Sequence, residues 1–189
     1  MSKTVLISIR PQWCEKIVNG EKTIEVRKTR PKLETPFKAY IYCTMPDAKD
    51  QHNILELHGA DGKIRKANGK VIGEFTCDRI DRLAPANDPY GIYDIDDDYV
   101  FQTCLENGAL WDYGHGTPLY GWHISGLRIY DAPKKLGEFW RDCLEYSELS
   151  TNCWSCENVC GDGDETDCNT DGRLYLHRPP QSWCYVEED

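Results

Sequence analysis

TVLISIRPQWCEKIVNGEKTIEVR, residues 4–27, holds a strand, a helix and a second strand in one unbroken run. Thr4 to Ile9 is apolar and β-branched, which suits a strand. Arg10-Pro11 then opens a helix, because the missing proline N–H would be unpaired in a first turn anyway. Trp13, Ile17 and Val18 fall at helical spacing, and Asn19-Gly20 supplies the stop. From Thr23 the period changes to two. Ile24 and Val26 point to one side, and Thr23, Glu25 and Arg27 to the other. Thr29-Arg30-Pro31 closes this second strand.

Outward from this run, Lys38 to Thr44 reads as a further strand, and residues 45–69 form a polar excursion with turns at Asp61-Gly62 and Asn68-Gly69. Lys70 to Cys77 is a strand with Gly73 inside it, a mark of a bulge or a close approach. Asp96, Asp97 and Asp98 can cap a short helix that uses Val100, Phe101, Cys104 and Leu105 and ends near Gly108. Tyr120 to Tyr130 is extended. Leu136, Phe139, Trp140, Cys143 and Leu144 have the spacing of an amphipathic helix. Trp183 to Val186 gives a last strand. Many strands and few short helices predict an α+β fold, a mixed and mostly antiparallel β-barrel with short flanking helices.

The chain is 189 residues long with a net charge of −10, which argues against a general nucleic-acid coat, and no long duplex DNA partner is expected. Residues 1–40 nevertheless hold nine Lys/Arg against four Glu, so a basic edge sits on an acidic body. That edge fits either a localised anion site or a solvated face. The apolar run at the start is too short for a signal segment or a membrane span, which leads us to expect a soluble, cytoplasmic protein with no membrane partner. Of the ten cysteines, Cys14, Cys43, Cys77, Cys104 and Cys143 are scattered singly, as buried reduced thiols are.

The segment Ser8 to Cys14 followed by Gly20-Glu21-Lys22-Thr23-Ile24-Glu25-Val26-Arg27 resembles the opening of ASCH domains, G-x-K-T-x-E-x-R. The runs 69–75, 120–125, 130–136 with Phe139, and 179–184 are similar to the variant seen in bacterial and prophage genomes. The resemblance implies a PUA-like barrel over 1–189, with a polar insertion at about 45–69 and a Cys-rich acidic one at about 150–172. It also implies a cleft beside the opening helix that binds RNA or a modified base. Some small members hydrolyse acylated cytidine with a lysine and a threonine. Lys22 matches that lysine, Thr23 is the common motif threonine, and Glu25 stands where the nucleophilic threonine would be.

The residues themselves agree with a binding site. Lys22 offers an ammonium suited to phosphate. Glu25 and Arg27 share a strand face, where they either pair structurally or divide labour on a ligand, the carboxylate accepting and the guanidinium donating. Trp13, Trp122, Trp183 and Tyr120 are stacking platforms or core, and Arg10 adds an anion contact. His123 reads as a structural histidine. The expected ligand-binding set is therefore Arg10, Trp13, Lys22, Glu25, Arg27 and Trp183, with Lys22 and Arg27 partly exposed. Lys22, Glu25 and Thr23 are the groups that acid–base work would use.

Cys153, Cys156, Cys160 and Cys168 have C-x2-C-x3-C-x7-C spacing in a segment rich in Asp and Glu. Four thiolates suffice for one structural zinc, with His177 or Cys184 as substitute ligands; a disordered thiol-bearing loop and disulfides are the other readings. The functional expectation is recognition of a nucleotide, modified nucleoside or single-stranded RNA. A small hydrolase acting on a modified nucleoside or RNA is the alternative, and a protein-interaction module the third reading.

Overall fold

The computed structural model describes residues 3–46, 51–85, 92–142 and 173–187. The opening run folds as its pattern dictates. Strand β1 (Lys3–Ile9) is followed by helix α1 (Pro11–Val18), with Pro11 in its first turn, and by strand β2 (Ile24–Arg27). Gly20 takes the left-handed conformation just past the helix, where a side chain would be strained.

Strands β3 (Phe37–Cys43), β6 (Lys70–Leu83), β7 (Leu119–Lys135) and β10 (Trp183–Glu187) complete a six-stranded sheet in the order β10-β1-β3-β6-β7-β2. Among the described residues only the β1–β3 pair is parallel. Register shifts along β6 and β7, including one at Gly73, let these long strands bend. A Cβ at Gly73 would strike the Arg128 carbonyl, which is the close approach its place in the strand suggests.

The fold is α+β and mostly antiparallel, as expected, but the backbone ladder is not closed into a barrel: β10 and β2 end the strand order at opposite sides. Side chains bridge the gap. Trp183 Nε1 donates to Thr29 Oγ1 at 3.0 Å, and Arg27 reaches back to the Ser8 carbonyl of β1. The strand order thus curls far enough for its ends to touch without a shared ladder.

Two helices cover the outer side of β2. Helix α2 (Asp97–Thr103) starts at Asp96, whose carboxylate accepts from the Tyr99 N–H, and stops at Cys104 in a left-handed conformation. A second helix, α3 (Asn107–Gly114), follows where the sequence suggested only a helix end near Gly108. Leu110 of α3 packs with Val26, Leu83, Tyr93 and Leu119 in a small satellite core.

The polar excursion contains the hairpin β4 (Glu56–His58) and β5 (Ile64–Lys66), and it sends Leu55, Leu57 and Ala67 into the main core. Leu136 to Asp142, the described part of the expected helix, does not form an α-helix. It begins with a 3-10 turn at Leu136–Glu138 and continues as strand β8 (Trp140–Asp142), paired with β9 (Arg173–Tyr175). The pairing partner lies far along the chain, and long-range pairing outweighs a local helical pattern. Cys143, Leu144 and the cysteine cluster at 153–168 lie outside the described residues.

Candidate functional site

Strand β2 runs antiparallel to β7, with Glu25 opposite Trp122 and Arg27 opposite Tyr120. Glu25, Arg27 and Trp122 therefore share the sheet's inner face, while Ile24 and Val26 point outward beneath α2 and α3. The period-two register is as expected. The exposure is not. Lys22 is 2 % exposed, Glu25 5 % and Arg27 8 %, so the cations expected to be partly exposed are buried instead. Helices on the outer face and α1 on the inner face cover both sides of a strand that would otherwise be half-wet.

At the centre is one carboxylate between two cations. Glu25 Oε1 lies 3.0 Å from Arg27 Nη2, and Glu25 Oε2 lies 3.4 Å from Lys22 Nζ. Lys22 also donates to the Thr103 carbonyl at 2.6 Å, at the end of α2, and stands 5.2 Å from the Trp13 ring centre. Loss of hydration lowers the Lys22 pKa, and Glu25 opposes the shift. The same α2 terminus holds the Thr23 N–H through the Gln102 carbonyl at 2.9 Å. Neither Thr103 nor α3's Tyr113 stood out in the sequence, because both reach the site only through tertiary packing. Burial pushes the Tyr113 hydroxyl's pKa up, with Arg27 lowering and Glu25 raising it.

Two buried donors on this face have no hydrogen-bond partner among the described residues: Arg27 Nε and Trp122 Nε1. An aromatic path leads outward from them. Trp122 meets Phe37 edge-on at 5.7 Å between ring centres and lies 6.1 Å from Trp183, which is 5.4 Å from Tyr185. Trp13 and Trp183 are half-buried and close the site; Trp122 is core. Arg10 is exposed at the start of α1.

His123 is on the other face, with Nε2 2.6 Å from Asp81 Oδ2 and 2.9 Å from Arg79 Nη2, a structural cluster under Tyr99. Cys14, Cys43 and Cys77 are buried free thiols, and burial pushes Cys77 up to about 12, so they act as small apolar groups. Among the described residues, no group of three or more His, Cys, Asp or Glu is placed to hold a metal ion, and no helix is long and apolar enough to cross a membrane.

No protein-family model and no curated protein matches the chain. Among solved structures it is similar to the ASCH protein from Zymomonas mobilis, at 18 % identity and TM-score 0.49 over 98 % of this chain and 88 % of that one. Two single-residue mutants of that protein also match. One does so at 18 % identity and TM-score 0.48, over 98 % and 89 % of the two chains. The other does so at 19 % and 0.46, over 71 % and 77 %.

Proposed function

We propose that the inner face between β2, α1 and β10 recognises a nucleobase, presented by a nucleotide or by single-stranded RNA. The observation that carries this reading is the pair of unpartnered buried donors, Arg27 Nε and Trp122 Nε1, beside the Glu25 carboxylate. A buried donor left unsatisfied costs about 1–3 kcal/mol, and such groups in a native protein call for an explanation. A base edge supplies what this face lacks: carbonyl or ring-nitrogen acceptors for the two donors and an amino or imino hydrogen for Glu25. Trp13 and Trp183 are the side chains that must move to admit it, and both offer a stacking face.

Lys22 contributes charge and position. With Glu25 shared between two cations, a protonated Lys22 leaves the site one positive charge in excess, which favours an anionic ligand such as a nucleotide. Hydrolysis by Lys22, Glu25 and Thr23 is the second reading, favoured by the lowered Lys22 pKa, the direction that yields a free amine.

Titration with the four ribonucleoside 5′-monophosphates, read by tryptophan emission, tests the main reading. At least one should bind saturably. Arg27→Lys keeps the cation beside Glu25 but deletes the Nε donor, and should weaken that binding by about 1–3 kcal/mol. Unchanged affinity in a variant with native melting behaviour would move the site elsewhere. Chromatography of the incubated ligand shows whether it is cleaved.

A further inference from the structure

The β2–β3 loop has a feature that recognition of one base leaves unused. Residues 28–38, KTRPKLETPFK, which are this loop and the first two residues of β3, hold four cations and one carboxylate in a chain of net charge −10. Such local enrichment goes against the overall composition. The loop is also fixed in place. Pro31 is buried, the Lys32 N–H donates to the Tyr185 hydroxyl at 2.8 Å, and Thr29 Oγ1 accepts from Trp183 Nε1 at 3.0 Å. Arg30 and Lys32 keep exposed side chains between and beside these anchors.

The two anchoring aromatics are the outer members of the path that begins at Trp122. The loop therefore starts where a ligand leaving the inner face would emerge. Two shallow cavities flank it. One, of about 670 Å³, is lined by Arg30, Lys32, Glu34 and Ile80 among others; the second, of about 280 Å³, is bordered by Lys3, Glu34 and Lys38. Lys3 lies 5.8 Å from the Tyr185 ring centre, and Lys28 stands 5.0 Å from that of Tyr113. Cations interleaved with aromatic rings along a line are what a single strand needs, phosphates on the first and bases on the second. Two carboxylates also lie along this line: Glu34 beside Arg30 and Lys32, and Glu187 opposite Lys3 on β10.

We propose that Trp183, Tyr185, Arg30 and Lys32 form a track for the nucleotides flanking the one held at Arg27 and Trp122, so that the ligand is a single-stranded RNA of several nucleotides. This rests on the base-recognition reading above and assigns its substrate class.

The test compares each ribonucleoside 5′-monophosphate with the matching ribo-pentanucleotide, in the full chain and in an Arg30→Gln/Lys32→Gln double variant. Both side chains are exposed, so the variant should melt like the parent. The pentanucleotide should bind at least tenfold more tightly than its monophosphate at low salt. The double variant should lose that advantage, flatten the log–log salt dependence by roughly 1.4 for two phosphates on a single strand, and bind the monophosphate as before. A pentanucleotide no tighter than its monophosphate overturns the track and leaves the base site standing, as does an advantage that survives in the variant. A penta-glutamate peptide that binds as tightly as the pentanucleotide overturns it in favour of a general anion surface. If neither monophosphate nor pentanucleotide binds, the base site fails and the track with it.

Discussion

Replacing Glu25 by glutamine removes the one negative charge between Lys22 and Arg27 while keeping the side chain's volume. In the native protein its two oxygens sit 3.4 and 3.0 Å from the two cations, all three groups being almost fully buried. The amide oxygen can accept from the cation on its side, but the NH2 meets the other and neither charge is balanced, so two cations face each other without water. Breaking a buried ion pair from one side costs about 3–5 kcal/mol, a large part of the about 5–15 kcal/mol that holds a domain together. The loss should depend on pH. Burial lowers the Lys22 pKa in the folded state, so the unfolded chain binds more protons between that lowered value and the ordinary value of about 10.4. Stability therefore rises with pH across this window. Glu25 opposes the lowering, so its removal extends the window downward. The penalty should be largest on the acid side of the window and shrink as pH rises through it. Urea denaturation followed by far-ultraviolet circular dichroism at several pH values measures this. Lys22→Met added to Glu25→Gln should recover part of the loss, because one unbalanced charge goes with it. A loss below about 1 kcal/mol, flat with pH, is the behaviour of an exposed pair and would refute the buried triad.

Two further outcomes are expected. Asp96→Ala removes the cap on the Tyr99 N–H and should cost about 1 kcal/mol; because α2 ends on Lys22 and Thr23, the Thr23 amide should exchange its hydrogen faster, and an unchanged rate with unchanged melting would uncouple the helix from the site. The chain purified without chelator should carry one zinc through Cys153, Cys156, Cys160 and Cys168, and a native mass spectrum showing metal-free protein would count against that ligand set.

The opening run was legible in the sequence because its signals are local. A proline at a helix start, Asn19-Gly20 at its end and the change to period two fix β1, α1 and β2, and set Glu25 and Arg27 opposite Ile24 and Val26, before any partner is known. The aspartates at 96–98 marked α2 in the same way. What these elements meet was not legible. Pattern shows which side of a strand a residue faces, whereas burial depends on what covers that side. Lys22 and Arg27 are enclosed because α1, the end of α2 and Trp183 arrive from residues near, eighty and more than one hundred and fifty positions away in sequence. The segment after Leu136 shows the same limit, since a helical spacing of apolar residues gave way to pairing with residues 173–175. The closure of the strand order through side chains, and the donors it leaves unpartnered on the inner face, were likewise decided in three dimensions, because hydrogen-bond satisfaction is a property of neighbours that only the folded chain brings together.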